Sequence, residues 1–314
     1  MKVFLTGATG VLGRSVVPRL VGAGHDVTAV ARDDAKASTL RDAGAQPVAV
    51  DLFDADAVLD GTRDHAAILH LATNVPPTSR AARKSAWVLH NRLRTEATRH
   101  LVAAGRMNGV TRFVKESVTF TYPDCGDRWI DEDVAPDPSF TLLAPTLEGE
   151  RRALELADGV QSPAAVVLRF GLFYGGAGNR ATDEWLRTAW FGRVPVAGAR
   201  DAFLSPIHVD DAAAAVVHAL DVPTGVYNVV DAEPLSRGEH VEAFRAAFGL
   251  RRAKPTPGWP IRLVGGPSAN ALLASQRVAN GRFRAASGWE PRYPSAREGW
   301  QHVAAGRSEE ETHV

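Results

Sequence analysis

Short apolar runs alternate with helix-like patterns along most of the chain. The run Val3–Thr6 is followed by a glycine-rich turn, a helical apolar spacing over Val11–Gly22 and a second run at Asp26–Ala31. The later runs that predict strands are Pro47–Val50, Ala66–Leu71, Arg112–Ser117, Ala164–Phe170 and Val226–Val230. Because helical patterns separate most of these runs, we predict an α/β protein with a doubly wound parallel sheet covered by helices.

The second half of the chain has a different texture. Beyond Phe170, Gly, Pro and Trp recur in segments such as GLFYGGAGN and KPTPGWP, which is typical of a smaller, loop-rich lobe. We therefore expect a first domain over residues 1–172 with a returning segment 206–230, and a C-terminal substrate lobe made of residues 173–205 and 231–303. Residues 304–314 are charged and aperiodic, which predicts a flexible tail.

Composition narrows the classes of partner. Lys and Arg number 36, as do Asp and Glu, so no excess charge suggests a nucleic acid or a membrane surface. A lone cysteine, Cys125, excludes an internal disulfide and fits a cytoplasmic compartment, and no Cys/His grouping has zinc-ligand spacing. The N-terminus lacks the features of a signal peptide, and no apolar stretch reaches the about 18 residues of a membrane span. We expect no bound metal, nucleic acid or membrane.

Gly7, Gly10 and Gly13 punctuate the segment TGATGVLG, between the first predicted strand and the first helix. Glycine at these steps permits a tight turn, a close approach of the backbone to a pyrophosphate, and close packing of the helix on the strand. The free N–H groups at the start of the helix would then face the phosphates. The spacing predicts a Rossmann-type domain that binds a nicotinamide dinucleotide.

The end of the second strand indicates which dinucleotide is bound. An acidic side chain there would bond the ribose hydroxyls of NAD, whereas an Arg would pair with the 2′-phosphate of NADP. Ala31 occupies the place expected for the acid and Arg32 follows it, while Arg14 and Lys36 add positive charge nearby. Asp33 and Asp34 argue the other way, because either could reach a ribose hydroxyl. We expect NADP(H) in preference to NAD(H).

Several motifs in chain order resemble the extended short-chain dehydrogenase/reductase family, the NAD-dependent epimerase/dehydratase group. TGATGVLG is similar to its cofactor motif, HLAT at His70–Thr73 to its fourth-strand motif, and RFVKESVTFTYPD to its fifth-strand motif. RFGLFYGGAG, IHVDDAAAAV and SGWEPRYPSAREG resemble three later segments, so the resemblance spans roughly residues 1–303. With the charges described above, it implies a cofactor site formed by Thr6, Gly7, Thr9, Gly10, Val11, Leu12, Gly13, Arg32, Lys36, Leu71, Ala72, Thr73 and Asn91.

Two of the positions in or beside this site have a second interpretation. Asp51 and Leu52 end the third strand, where a carboxylate would meet the adenine amino group, or would instead cap the next helix. Asn91 matches a family Asn, and its alternative is a place on the helix surface.

The resemblance is incomplete where the family has its proton relay. Its members use a Tyr with a Lys four residues later, which lowers the pKa of the Tyr and holds the ribose, and a Ser or Thr at the end of the fifth strand. The family spacing places the Tyr and Lys near Leu143 and Leu147 and the Ser or Thr at Val118. None of the four tyrosines has a Lys at that distance: Tyr122, Tyr174, Tyr227 and Tyr293.

Polar side chains around the end of the fifth strand are the alternative chemical groups, because ligands of open α/β sheets bind beyond the carboxyl ends of the strands. Ser117 or Thr119 would orient a substrate carbonyl, and Tyr122 or Glu116 would donate a proton. Strand alternation directs Lys115 and Ser117 to one face and Glu116 to the other. The structural interpretation of these residues is an ion pair with strand-end hydrogen bonds.

Other residues also have open interpretations. His70 ends the fourth strand, either beside the cofactor ribose or as a core histidine with satisfied hydrogen bonds. Asp210 and Asp211 are expected to cap the Ala-rich helix that follows them. Aromatic residues after Phe173 either line a pocket for an apolar substrate or pack in the core: Trp185, Trp190, Phe191 and Phe203.

Three functions fit these observations. The first is an NADP(H)-dependent oxidoreductase or epimerase/dehydratase-like enzyme that acts on a small organic carbonyl or alcohol by a non-standard relay. The second is a non-catalytic NADP-binding regulator resembling the NmrA-like proteins. The third is an isomerase, cyclase or lyase that retains the dinucleotide structurally. The resemblance further implies a homodimer through the helices Trp87–Ala104 and Leu142–Ala157.

Overall fold

A parallel seven-stranded sheet forms the centre of the computed structural model, which describes residues 1–76, 80, 83–159, 163–176, 179–189, 191–265 and 270–312. The strand order is β12-β7-β5-β4-β1-β2-β3. Its strands are β1 Lys2–Thr6, β2 Asp26–Val30, β3 Gln46–Val48, β4 Ala67–His70, β5 Arg112–Val118, β7 Ala164–Phe170 and β12 Gly225–Val229. The order reverses between β1 and β4, and a crevice at the carboxyl ends of the strands is the usual ligand site at such a point.

Helices cover this sheet and build the C-terminal lobe. They are α1 Val11–Gly22, α2 Asp34–Asp42, α3 Ala55–Gly61, α4 Val88–Arg92, α5 Thr98–Met107, α6 Ala144–Leu154, α7 Arg180–Ala189, α8 Val209–His218, α9 Arg237–Ala247, α10 Gly258–Gly265, α11 Asn270–Leu273, α12 Gly281–Ser287 and α13 Ala296–Thr312. Short strands pair as β6 Trp129–Ile130 with β15 Arg277–Val278, β8 Leu172–Tyr174 with β11 Pro206–His208, β9 Arg193–Ala197 with β14 Lys254–Thr256, and β10 Phe203–Leu204 with β13 Leu235–Ser236.

Successive residues of the central strands enter two separate cores. Val3 and Leu5 of β1 pack in the core that α1 and α8 cover, and Phe4 packs in the core of α3, α5 and α6. A third core, which includes Trp185 and Trp300, holds the lobe together. The predicted fold class is confirmed, because apolar side chains on both faces of the strands require helices on both sides.

Two predicted segments differ in detail. The single helix expected over Trp87–Ala104 is α4 and α5 joined by a π-helical turn, Leu93–Ala97. Leu93, Ala97 and Leu101 of its apolar stripe are buried, as the spacing predicted. The charged tail instead continues α13 as far as Thr312. Its Ala, Glu and Arg residues are good helix formers, so lack of apolar periodicity did not indicate lack of helix.

The start of α8 is capped by a residue that the sequence did not single out for this role. His208, not Asp210 or Asp211, is the N-cap, and its Nδ1 accepts from the Asp210 N–H at 3.2 Å. Asp210 pairs with Arg19 of α1 at 3.0 Å. Asp211 accepts the backbone N–H groups of Arg292 and Tyr293. The expected capping role of the two aspartates is therefore wrong, because both carboxylates are used in tertiary contacts.

Candidate functional site

The glycine turn brings β1, α1 and the end of β4 into backbone contact. A Cβ on Gly7, whose φ is +80°, would lie 2.5 Å from the Leu71 carbonyl carbon, and one on Gly13 would lie 2.2 Å from the Gly7 oxygen. No side chain of a described residue caps α1 at Gly10. The first turn therefore presents its N–H groups at the carboxyl edge of the sheet, as an anion site at a helix N-terminus requires.

The other residues predicted on this turn contribute in different ways. Arg14 donates through Nε to the Thr9 carbonyl at 3.0 Å, which ties the turn to the helix. Leu12 is buried in the core against α8, so only its backbone is available to a ligand. The Thr6 hydroxyl is fully buried and bonds His70, so Thr6 also offers only its backbone.

Three charged residues after β2 differ in their contacts: Asp33 and Lys36 form an ion pair, and Arg32 does not pair with a described residue. Asp33 caps α2, accepts the Lys36 N–H at 2.9 Å and forms an ion pair with the Lys36 ammonium. The hydrogen bonds from Lys36 lower the pKa of the Asp33 carboxyl. Arg32 is exposed and makes no hydrogen bond or ion pair within the described part of the chain. Arg32 is therefore the available cation here, while Lys36 already has a partner.

Asp51 lies exposed after β3 and accepts the Phe53 N–H at 2.9 Å. The cap of α3 is Asp54, not Asp51, so the capping alternative for Asp51 is wrong. Leu52 is half-buried beside the apolar core of that face. These positions leave one Asp51 oxygen exposed near the end of β3, as an adenine contact would need.

The segment after β4 passes directly over the glycine turn. The Leu71 N–H donates to the Thr6 carbonyl at 3.1 Å, which extends the pairing of β4 with β1. Leu71 is buried, Ala72 is half-buried and Thr73 is exposed, so the chain leaves the sheet over these three residues. Their backbone borders the crevice at the topological switch point.

His70 is a core histidine with both ring nitrogens bonded. The Thr6 hydroxyl donates to Nδ1 at 2.7 Å, and Nε2 donates to the Leu93 carbonyl at 3.0 Å. Burial and the nearby Lys115 lower the pKa of His70 well below its usual value, so the ring is neutral. Leu93 is the first residue of the π turn, and its carbonyl also accepts the Thr98 hydroxyl at 3.3 Å. The structure therefore favours the interpretation of His70 as a core histidine over a contact with the cofactor ribose.

Asn91 lies in α4, two residues before the π segment. It is half-buried, so it is not simply a surface residue, and its Oδ1 is buried without a hydrogen-bond partner among the described residues. An unsatisfied buried acceptor is costly unless a ligand or water completes it. This observation keeps Asn91 as a predicted ligand contact.

Ser117 is fully buried and donates its hydroxyl to Glu150 of α6. Arg169 of β7 forms a fork with the same carboxylate, through Nε at 2.9 Å and Nη2 at 2.6 Å. The Glu150 carboxylate raises the pKa of Arg169 against the opposing effect of burial. Ser117 is therefore part of a buried ion-pair network, and its predicted contact with a substrate carbonyl conflicts with this geometry.

Glu116 is likewise engaged. Arg94, from the π turn, donates through Nη1 to the Glu116 carbonyl at 2.6 Å and forms an ion pair with its carboxylate. Both side chains are buried, with exposed fractions of 1% and 6%. A carboxylate held by a buried guanidinium is a poor proton donor, so the predicted role of Glu116 as an acid is corrected to a structural ion pair.

Tyr122 and Thr119 are both buried, but their hydroxyl groups differ in hydrogen bonding. The Tyr122 hydroxyl is buried and donates to Asn228 Oδ1 at 2.9 Å, and burial raises its pKa. Arg169 stacks on the Tyr122 ring at 4.9 Å. Tyr122 is thus a core residue rather than the predicted proton donor. The Thr119 hydroxyl has no hydrogen-bond partner among the described residues, so it alone of the four predicted groups remains free.

Lys115 is buried against α6. Lys115 is 1% exposed, and its Cε lies 3.0 Å from where a Cβ on Gly149 would sit. Lys115 and Ser117 thus both face α6, as alternation predicted, and burial with the neighbouring Arg94 lowers the pKa of Lys115 to about 7. Sequence reasoning missed Arg94, Glu150 and Arg169 as partners. Only Arg169 gave a signal, because it is a charge within the apolar run Ala164–Phe170.

A cleft separates the loops after β5 from the C-terminal lobe. Cavities of about 390 and 200 Å³ share Asp124, Arg262 and Leu273. Trp259 of α10 lines the larger cavity and is 70% exposed, and Phe140, just before α6, lines the smaller one. Arg262 has no hydrogen bond or ion pair with any described residue. The cleft thus combines apolar surface, the carboxylate of Asp124 and a guanidinium that has no ion pair with a described residue.

The predicted aromatic cluster does not form one pocket. Trp185 packs in the lobe core, Phe191 is 85% exposed, and Phe203 lies under the Arg277 guanidinium. Trp190 lies outside the described residues. Within the described ranges, no group of three or more His, Cys, Asp or Glu side chains could hold a metal, and no helix there has both the length and the apolar character of a membrane span.

The fold, the glycine turn and the crevice beyond β1 and β4 define a dinucleotide-binding protein of the Rossmann type with a second lobe over its ligand cleft. Residues 3–229 match the sequence model of the NAD dependent epimerase/dehydratase family, and the chain belongs to this family. The prediction of an NAD(P)-dependent oxidoreductase or epimerase-like enzyme is confirmed at this level. A nicotinamide cofactor follows from membership.

Two relatives and one solved structure show how far the similarity extends. A 3-diazoavenalumate denitrifying reductase from Streptomyces sp is 31% identical over 95% of this chain and 99% of its own length. A 2-alkyl-3-oxoalkanoate reductase from Stenotrophomonas maltophilia is 26% identical over 88% and 89%. The human epimerase family protein SDR39U1, solved with NADPH, has a TM-score of 0.78 at 24% identity over 97% and 99%, which shows the shared fold.

Proposed function

We propose that this protein is an NADP(H)-dependent reductase that acts on a small organic acid. The observation that carries the proposal is the pairing of an uncapped glycine turn with a free Arg32 at the end of β2. The turn suits a pyrophosphate, and the guanidinium suits the additional phosphate that distinguishes NADP from NAD.

The surroundings of Arg32 support the preference for NADP(H). A ribose-binding acid at this point would favour NAD, but both oxygens of Asp33 are engaged by Lys36. Asp34 lies in the first turn of α2, where its negative charge stabilises the helix by interacting with the helix dipole. Arg32 therefore forms no ion pair with a neighbouring carboxylate. Its guanidinium is more complementary to the 2′-phosphate of NADP than to the two ribose hydroxyls of NAD.

The chain's own groups would divide the work as follows. When bound, the cofactor supplies the hydride. The first turn of α1 holds the phosphates, and the unsatisfied Asn91 oxygen accepts a hydrogen bond from the ligand. Thr119, which is 2% exposed and whose hydroxyl has no partner among the described residues, orients the substrate oxygen and relays to it a proton that a water molecule supplies. Tyr122 takes no part, because its hydroxyl is committed to Asn228.

The cleft and the relatives support an organic acid as the substrate class. The Streptomyces and Stenotrophomonas proteins are reductases whose names give 3-diazoavenalumate and 2-alkyl-3-oxoalkanoates as substrates, and both names denote acid anions. In this chain Arg262 supplies a free cation, while Trp259 and Leu273 supply apolar surface for the remainder of the molecule. The cleft is thus suited to a small amphipathic anion.

The test is NADPH consumption with a panel of 3-oxo acids and their methyl esters. We expect the acids to be reduced at a lower KM than the esters, with about a tenfold difference, since the ester loses the charge contact with Arg262. Arg262→Gln should remove this difference, whereas Arg251→Gln, a control at another exposed arginine of the lobe, should keep it. Equal KM values for acids and esters in the wild type would refute the substrate class.

One observation favours the non-catalytic alternative. Ser117, Glu116 and Tyr122 all have internal partners, so three of the four predicted chemical groups are unavailable. A regulator that binds NADP(H) would need none of them. Tight NADPH binding with no turnover across the oxo acid and diazo acid panels would support the regulator and exclude the reductase.

A further inference from the structure

Lys115 stands at the level of the cofactor crevice, inside the sheet. It pairs in register with His70 of β4, which in turn pairs with Thr6, the residue before the glycine turn. Its side chain extends toward the carboxyl end of β5, where Nζ donates to the Glu116 carbonyl at 3.2 Å. The ammonium group therefore lies under the edge at which ligands of such sheets bind.

The groups around Lys115 leave it without a counter-charge. The neighbouring helix contributes Arg94 and His90, β4 contributes His70, and α6 contributes Glu150. Burial holds both histidines neutral, with the pKa of His90 lowered to about 3. The two carboxylates, Glu116 and Glu150, are each held by an arginine.

The buried cluster thus has three cations and two anions: Arg94, Lys115, Arg169, Glu116 and Glu150. Its excess charge falls on Lys115, because each arginine has its own carboxylate. Gly149 makes room for this arrangement, since a Cβ there would meet the Arg94 carbonyl at 2.4 Å and the Lys115 Cε at 3.0 Å. An uncompensated buried cation is costly to a fold, which favours a role in ligand binding.

We propose that the Lys115 ammonium selects the reduced cofactor. The inference rests on the proposed NADP(H) site. The oxidised nicotinamide ring carries a positive charge and the reduced ring does not, while the phosphates of the two forms are alike. Arg32 places the 2′-phosphate on the β2–β3 side of the switch point, so the nicotinamide ring is expected on the β4–β5 side, where Lys115 lies. A buried cation on that side opposes binding of NADP⁺ and leaves binding of NADPH unaffected. Lys115 acts as a specificity-determining residue that loads the protein with a hydride donor.

The pH dependence has a definite sign. With its pKa near 7, Lys115 is charged at pH 6 and neutral at pH 8.5. Discrimination against NADP⁺ is therefore strongest at low pH and is lost as the pH rises through the pKa. The 2′-phosphate titrates in both nucleotides, so its effect cancels in the ratio of the two dissociation constants.

The experiment measures Kd for NADPH and NADP⁺ on the wild-type full chain between pH 6 and pH 8.5. We expect the ratio of Kd for NADP⁺ to Kd for NADPH to fall about tenfold over this range. Lys115→Met should give a low ratio at every pH, and Lys115→Arg a high one. Met replaces a buried charge by an apolar group of similar length, which is often tolerated.

The outcomes are separable. A wild-type ratio that does not change with pH would overturn the role of Lys115, as would a Lys115→Met ratio that still falls. Binding of neither nucleotide would overturn the cofactor site and the role of Lys115 together. A pH-dependent ratio without turnover of any substrate would refute the reductase and leave the selection by Lys115 standing.

Discussion

The glycine turn after β1 and the carboxyl end of β5 lie at the same edge of one sheet but are built in opposite ways. The turn depends on backbone shape within seven residues, Gly7 to Gly13, and on the absence of side chains. The end of β5 depends on charged side chains whose partners lie far along the chain, such as Arg94, 22 residues before Glu116, and Glu150, 33 residues after Ser117.

The comparison shows why similarity in one region does not transfer to the other. A backbone cradle serves any dinucleotide, since N–H groups meet the phosphates whatever the substrate is. A buried ion-pair network fixes which side chains remain free for chemistry, and here it removes Ser117 and Glu116 from use. Family membership therefore indicates the cofactor more firmly than the reaction.

The largest expected effect on cofactor binding comes from closing the cradle. Gly13→Ala places a Cβ 2.2 Å from the Gly7 oxygen, so the turn must open or the helix must move away from the strand. We expect NADPH affinity to fall by more than about 100-fold, because the N–H groups no longer converge on the phosphates. Fluorescence titration of NADPH measures the loss.

The matched control for this change is Gly22→Ala, at the other end of the same helix, where a Cβ meets nothing within 4 Å. It should leave NADPH affinity unchanged. Equal NADPH affinity in Gly13→Ala and Gly22→Ala would show that cofactor binding does not depend on the close approach of α1 to β1.

Much of the fold could be predicted from the chain because its signals are local. Apolar runs and helical spacing identified the seven strands of the main sheet, and the glycines identified the turn. The partners of Ser117 and Glu116 could not be predicted in this way, because Arg94 looked like a surface residue beside an apolar stripe. The sequence also could not predict that the Thr119 hydroxyl lacks a hydrogen-bond partner among the described residues, because this depends on which groups its neighbours contact.

The second effect probes the network beneath β5. Arg169→Met removes the fork on Glu150 and leaves the buried carboxylate with the Ser117 hydroxyl as its hydrogen-bond partner and with Lys115 as a nearby cation that does not bond it. We expect a loss of about 3–5 kcal/mol in the free energy of unfolding, the usual result of orphaning one partner of a buried pair. Urea denaturation measures it.

Arg63→Met is the control for the network, because Arg63 and Asp60 form an ion pair whose side chains are 63% and 73% exposed. An exposed pair contributes little, so the unfolding midpoint should hardly move. Similar midpoints for the two variants would mean that the Arg169 network adds no more than a surface pair, and that the contrast between the two regions is overstated.

The smallest effect tests how the cradle distinguishes its ligands. Arg32→Glu replaces a free cation by an anion at the end of β2, so an approaching 2′-phosphate meets repulsion and a ribose hydroxyl meets an acceptor. We expect NADPH affinity to fall about tenfold while NADH affinity stays within twofold or rises, since exposed charges are screened.

Arg41→Glu, at the far end of α2, is the control: it makes the same change in net charge away from the turn and should alter the affinity for neither nucleotide. Equal losses for both nucleotides in Arg32→Glu would show that this residue supports the fold of the loop rather than the phosphate, and Lys36 would then have to leave Asp33 to provide the contact.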